Sequence, residues 1–443
     1  MKRDIYKTLC DWKNETKHKP LLLRGARQIG KTYIINEFGR NEFASFISFN
    51  FERNPEYKDI FISYNPKEII ERIYLFTGQN PEPGKTLLFL DEVQECPEVI
   101  ISLRYFFEEL PALHVIAAGS LLEFSLEAED FKMPVGRIQY LYMFPMSFGE
   151  FLIAIGHGNL RSYLMDYKKL AGIPESLHNN LNEHIRKYFM LGGMPEVVNE
   201  YCLTRDMPKC QKIQRSILDT YIDDFAKYAK KIKHRYLIKI FNAVPAMVGQ
   251  KFIYAHVDST IKSRDLKESL ELLEMAGVVY RAKRTSGAGL PLEANVKESF
   301  FKMIFLDIGL FHAVNKVYTN TAMAKDLTAM FKGAVAEQFT GQEMLAYSDP
   351  YEKPSLYYWA REAKSSNAEL DYLIEMNSKI IPIEVKSGSK TRMKSLILFL
   401  ENYRIERGLK ISQAGYDAEI PIMSLPFYAI ETFLSKGFEA GHQ

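Results

Sequence analysis

Short apolar runs alternate with amphipathic stretches through the first third of the chain. Leu21-Leu22-Leu23, Phe43 to Phe51, Thr86 to Leu90, His114 to Ala118 and Ile138 to Phe144 read as strands. Thr86-Leu87-Leu88-Phe89-Leu90 is unbroken, as a parallel strand covered on both faces should be. Helical signals fill the gaps. Ile5 to Leu9 forms a short helix within residues 1–19, and Tyr33 to Phe38 opens another that Gly39 is placed to stop. Asn65-Pro66 is an N-cap followed by proline at the first helical position, with Ile69, Ile70, Ile73 and Phe76 on the apolar side and Gly78 as the stop. Pro97 to Leu110 is a further helix. Strands alternating with helices predict a three-layer α/β domain over residues 1–154.

Beyond it the pattern changes. Residues 155–229 are helical throughout, broken at Gly192-Gly193-Met194-Pro195. Residues 230–320 suit a winged helix. Tyr236 to Phe241 starts one helix, Ser263 to Met275 forms a second with Leu266, Leu270 and Leu273 on one face, and Val278 to Tyr280 enters a hairpin tipped by Gly287 and Gly289 that returns at Phe300 to Leu306. Residues 321–443 carry a helix at Gly333 to Phe339 and strands at Leu356 to Trp359, Ala368 to Ile374 and Ile380 to Val385, a second α/β unit.

Chemistry first appears at Gly25-Ala26-Arg27-Gln28-Ile29-Gly30-Lys31-Thr32, the full G-x-x-x-x-G-K-[ST] pattern between a strand and a helix that begins at Tyr33. Gly25 and Gly30 let the loop turn its N–H groups onto phosphate oxygens, and the helix N-terminus adds its positive dipole end. Lys31 reaches β- and γ-phosphates, and the Thr32 hydroxyl ligates Mg²⁺. The third strand ends in Asp91-Glu92, where a phosphate-loop fold needs an acid to hold Mg²⁺ and another to polarise water. ATP and Mg²⁺ are therefore the expected cofactors.

A sparser set lies near the C-terminus. Glu337 sits on a helix, Asp371 on a strand, and Glu384 with Lys386 two residues apart on another, so the last two share a face. Asp371 and Glu384 on adjacent strands have the chemistry to hold one or two Mg²⁺, lowering a water's pKa beside a scissile phosphate that Lys386 would neutralise. Leu370 precedes Asp371, and Pro382 interrupts the Glu384 strand, which disfavours a fully bonded central position.

Gly25 to Thr32, Leu87 to Glu92, Ala118-Gly119-Ser120, Gly136-Arg137 and Phe144 to Phe151 together resemble the AAA+-type ATPases of the AAA_14/DUF4143 group. The resemblance covers essentially the whole chain and implies an ATPase core, a helical lid over 155–229, a winged-helix segment and a C-terminal domain similar to PD-(D/E)XK nucleases. It implies that Ser120 senses the γ-phosphate, that Arg137 reaches the nucleotide of a neighbouring copy, and that Pro195 lies against the adenine. A helix cap, a surface arginine and a helix-starting proline explain the same three residues. Glu337, Asp371, Glu384 and Lys386 match the nuclease motif.

Composition sets the bounds. Over 443 residues, 47% hydrophobic and 25% charged, the chain has material for several cores and reads as a soluble protein. Net charge is only +2, so double-stranded DNA would be met by a local patch: Lys262, Arg264 and Lys267 on the second helix, with Arg281, Lys283 and Arg284 on the wing. Cys10, Cys96, Cys202 and Cys210 show no metal or redox spacing, and no apolar stretch is long enough to span a membrane, so a cytoplasmic protein is expected. Two function classes stay open. One is an ATPase that gates a DNA-cleaving domain. The other is a nucleotide switch, self-associating or not, whose nuclease-like domain is inactive and binds DNA or a protein partner.

Overall fold

A computed structural model describes residues 1–119, 136–228, 231–316, 333–361, 368–387 and 393–438. The chain divides into two compact units, one of Met1–Phe144 with Met275–Gly277 and Asp349–Lys353, the other of the remaining residues from Pro145 onward.

The first unit contains α1 (Ile5–Lys13), β1 (Leu21–Arg24), α2 (Lys31–Glu42), β2 (Ser45–Asn50), α3 (Pro66–Thr77), β3 (Thr86–Asp91), α4 (Glu98–Glu109), β4 (His114–Ala118) and β5 (Gln139–Tyr142). The strands form one parallel sheet in the order β2-β3-β4-β1-β5. β3 and β4 are buried along their whole length, as their unbroken apolar sequences require. Leu88, Leu90, Val115 and Ala117 pack with Val99, Leu103 and Phe106 of α4 and Ile69 and Ile73 of α3. Asn65 caps α3 by accepting from the Lys67 N–H at 3.0 Å, and Gly78, at φ 70°, ends it. Gly39 does not stop α2, which runs on to Glu42. The Phe46 ring lies where a Cβ at Gly39 would stand, so this glycine serves close packing and not termination.

The second unit opens with α5 (Phe148–Ala154), α6 (Gly158–Leu164), α7 (Tyr167–Ala171), α8 (Glu175–Leu191), α9 (Pro195–Thr204), α10 (Met207–Tyr228), α11 (Lys231–Met247), α12 (Tyr254–Val257) and α13 (Ser263–Met275). It continues through β6 (Val279–Thr285), β7 (Val296–Phe305), α14 (Ile308–Val314), α15 (Ala334–Ala346), β8 (Leu356–Ala360), β9 (Glu369–Met376), β10 (Lys379–Val385), α16 (Lys394–Tyr403), β11 (Gly408–Ser412), β12 (Ile422–Pro426) and α17 (Ile430–Lys436). Its sheet runs β12-β11-β10-β9-β8-β6-β7. The β6–β7 hairpin, expected as a self-contained wing, is one end of this seven-stranded sheet, with β6 pairing β8 in parallel from Ala282↔Leu356 to Thr285↔Trp359. Residues 230–320 and 321–443 thus share one sheet. Pro382 is tolerated in β10 because the β11 ladder begins one residue later, at Ile383↔Leu409.

Segment Phe144 to Phe151 straddles the two units. Ser147 and Glu150 close a capping box on α5, and Glu343 of α15 accepts from the Phe148 N–H at 3.0 and 3.2 Å. Among the described residues no helix is long and apolar enough to cross a membrane.

Candidate functional site

The phosphate-loop residues stand between the C-terminal end of β1 and the start of α2. Gly25, Gln28 and Gly30 take φ values of 147°, 64° and 94°, and a Cβ on Gly25 would overlap the Met143 carbonyl beside it. The sharp turn of the loop thus depends on glycine at both motif positions. Ala26 and Ile29 are buried beneath it. Lys31, 8% exposed, folds its ammonium over the loop and donates to the Gly25 and Ala26 carbonyls at 2.7 and 2.8 Å. Arg27 pairs with Glu52 at 3.7 Å, and Tyr33 stays exposed on the first turn of α2.

Parallel pairing brings the end of β3 to the same edge of the sheet. There the Thr32 hydroxyl donates to Asp91 Oδ2 at 3.0 Å, and Asn50, at the end of β2, donates to the same oxygen at 3.1 Å. Burial, reinforced by the neighbouring Glu92 charge, pushes the Asp91 carboxyl up to about 6 against the pull of Thr32, Asn50 and Lys31. Glu92 adopts φ 57°, an uncommon conformation for a residue with a side chain, and its carboxylate accepts from Gln94 at 2.6 Å. Asn50 escapes a motif reading because it lies outside both motifs. Its one sequence signal is its position at a strand end. Arg3 gives no signal at all, yet its buried guanidinium donates to the Ile29 carbonyl inside the loop at 2.8 Å and to the Phe144 carbonyl at 2.6 Å.

The flanking residues fall elsewhere. Ser120 lies outside the described residues. Arg137 precedes β5, whose Gln139 pairs with Leu21 at the start of β1, so it sits at the sheet edge opposite the loop. It donates to Glu108 at 2.9 Å, which with Arg104 holds the Glu108 carboxyl below its usual range. Pro195 occupies the first position of α9 in the second unit, after Gly193, which is fixed by Asp307 at 2.6 Å and by the Met146 N–H at 2.7 Å.

The second unit gathers Glu337, Asp371, Glu384 and Lys386, together with a residue outside their motif. Lys302, in the middle of β7 and 3% exposed, places its ammonium 3.1 Å from Glu337, 2.5 Å from Glu369 and 3.6 Å from Asp371. Burial alone would lower the Lys302 pKa, but the three carboxylates outweigh it and raise it. Glu337 is pushed up to about 8 by burial and by Asp371, against the opposing pull of Lys302. Asp371 Oδ2 accepts from the Val385 N–H at 2.7 Å. Glu384 gives one oxygen to Lys386 at 2.5 Å and keeps the other buried without a hydrogen bond. Burial and Asp371 raise its pKa. Among the described residues no group of three or more Asp, Glu, His or Cys side chains is arranged to hold a metal ion. Of the expected Mg²⁺ pair Asp371 and Glu384, the first has the Lys302 ammonium 3.6 Å away and the second has Lys386. A lone lysine in the apolar run Phe300 to Leu306 was the available signal.

Five of the six residues of the expected basic patch, all but Lys262, are engaged within the unit. Arg281 pairs with Glu274 at 2.8 Å, Lys283 with Glu293 at 2.6 Å, and Arg284 donates to the Ala360 carbonyl at 2.8 Å. On α13, Arg264 and Lys267 face Glu268 and Glu271 one turn on, at 3.8 and 3.7 Å. These wing cations are sheet residues, and the Arg281 and Lys283 charges are compensated locally.

Three family models match the sequence: an AAA domain over residues 17–152, a domain of unknown function (DUF8612) over 182–321 and a domain of unknown function (DUF4143) over 332–428. No curated protein matches in sequence. Similar solved structures include the Aeropyrum pernix ORC1 protein in complex with DNA, at 12% identity and TM-score 0.28 over 71% of this chain and 90% of that one. Drosophila ORC bound to DNA matches at 14% identity and TM-score 0.27, over 71% and 85%. A signal transduction ATPase with numerous domains from Pyrococcus horikoshii, with a tetratricopeptide repeat sensor, matches at 11% and 0.26, over 79% and 46%. At such scores the family matches carry the assignment.

Proposed function

For a chain that belongs to the AAA+-type P-loop ATPases of the AAA_14/DUF4143 group, we propose that the first unit hydrolyses ATP to drive a nucleotide-dependent switch, and that the second unit binds a partner without cutting DNA. The observation carrying the ATPase reading is the joint placement of Thr32, Asp91 and Asn50 at the sheet edge where Lys31 crowns the glycine-lined loop. These residues fit Mg²⁺-ATP. The Gly25 backbone leaves room for no side chain, and a hydroxyl and a carboxylate lie together beside the lysine. Bound Mg²⁺-ATP supplies the electrophilic γ-phosphorus and its own charge neutralisation. With nucleotide bound, Lys31 would exchange its carbonyl partners for phosphate oxygens, Thr32 and Asp91 would hold the metal, and Glu92 would orient a water and take its proton. Arg137, remote from its own loop and paired with Glu108, fits a surface arginine, and service to the nucleotide of a second copy is the other reading.

Expected for Glu92→Gln is a loss of roughly 10²–10⁴-fold in ATP turnover with nucleotide binding retained. Wild-type turnover in that variant would sink the assignment.

Lys302 favours the non-cleaving reading of the second unit. It stands among carboxylates that a phosphodiesterase would give to metal. Incubating linear and supercoiled DNA with Mg²⁺ or Mn²⁺, with and without ATP, should give no cleavage. Cleavage that disappears in Glu384→Ala would reverse the reading. Double-stranded DNA and a protein remain the two candidate partner classes, and the local pairing of the Arg281 and Lys283 charges lends DNA no support.

A further inference from the structure

The geometry points to Lys302 as the resident cation of the C-terminal acidic cluster, so that the folded second unit excludes a divalent metal where its motif would place one.

Mg²⁺ demands a near-octahedral shell of oxygens, usually one or two carboxylates completed by water. Here at least one oxygen of each carboxylate faces a cation. Glu337, Glu369 and the first oxygen of Asp371 surround the Lys302 ammonium, and the second Asp371 oxygen accepts from the Val385 backbone. Lys386 takes one Glu384 oxygen, which leaves a single buried carboxylate oxygen without a hydrogen bond. A divalent ion beside it would meet two ammonium groups instead of a second free carboxylate.

The lysine is also fixed by its fold position. β7 carries it opposite Ala282 of β6 in the antiparallel ladder, with its side chain 3% exposed and its ammonium 5.4 Å from the Tyr358 ring centre. Lys302 therefore ties three segments far apart in sequence: β7, helix α15 through Glu337, and β9 through Glu369 and Asp371. An isolated buried charge is costly, and each partner here meets the other's need for compensation. The cluster works as an internal ion-pair lock, built on the residues that a metal-dependent nuclease would use for catalysis.

The test is Mn²⁺ binding to the full chain by equilibrium dialysis and electron paramagnetic resonance, in a Thr32→Ala background that weakens metal binding at the phosphate loop. With Lys302 present, Asp371→Asn should leave the bound Mn²⁺ unchanged. Lys302→Met should gain one equivalent, lost again when Asp371→Asn is added. Loss of an Mn²⁺ equivalent on Asp371→Asn with Lys302 intact would overturn the inference, and so would a folded Lys302→Met protein that gains none. The first arm does not depend on Lys302→Met folding. Should that variant fail to fold, Lys302→Arg, which keeps the cation, should fold and still bind no added Mn²⁺. An Mn²⁺ equivalent gained by the arginine variant would count against the lysine as the excluding group.

Discussion

The Thr32 hydroxyl donates to Asp91 Oδ2 at 3.0 Å, joining the first turn of α2 to the end of β3 across 59 residues of chain. The two side chains act as a unit, so their substitutions should not add. Thr32→Ala and Asp91→Asn should each lower kcat by about 10²-fold or more, on the scale of losing one group that stabilises developing charge. The double variant should fall little further. Steady-state ATPase rates across the double-mutant cycle check this, and full additivity would count against a shared metal site.

Arg3 should matter to the phosphate loop although it precedes every motif. Arg3→Ala removes charged donors from two buried carbonyls, Ile29 and Phe144. Hydrogen bonds from charged groups contribute about 1.5–3 kcal/mol each, so the first unit should lose roughly that amount or more. Nucleotide affinity should fall with it. Denaturant unfolding followed by a first-unit probe, alongside a nucleotide titration, separates the two effects.

Gly39→Ala should destabilise the protein even though alanine is the better helix former by about 1 kcal/mol. The added methyl meets the Phe46 ring, and overpacking of this kind costs about 1–3 kcal/mol. Shortening the partner, as in Gly39→Ala/Phe46→Leu, should recover part of the loss in thermal melting. A more stable single variant would show that the ring moves aside freely.

Acid should weaken the first unit through His114. Its ring stacks on His18 at 3.8 Å with Trp12 edge-on, and burial, then the neighbouring His18, pushes its pKa down to about 4. An unfolded histidine titrates near 6.5, so the folded state keeps the neutral ring. That stability is fully present above about 6.5 and is lost as pH falls towards 4, at about 1.4 kcal/mol per pH unit for one group. Comparing unfolding midpoints at pH 7 and pH 5 should show a smaller acid loss in His114→Gln than in wild type.

Local chemistry carried much of the answer in the sequence alone. The glycine loop with Lys31 and Thr32, the apolar run ending in Asp91-Glu92 and the strand–helix alternation are short-range patterns. Backbone conformation and burial periodicity dictate them, and each was legible as it stood. Gly39 shows the limit, because one letter serves a helix stop or a close packing contact, and only the Phe46 ring decides between them. The C-terminal motif shows it more sharply. Glu337, Asp371, Glu384 and Lys386 were all visible, but Lys302, which sets their chemistry, comes from a strand that the sequence assigns to another domain. Asn50 and Arg3 reach their partners in the same way, through pairing and packing over long stretches of chain. Sequence determined which groups are present and the elements that carry them. Tertiary structure decided which charges face one another, because the energy of a buried charge depends on neighbours that no local pattern specifies.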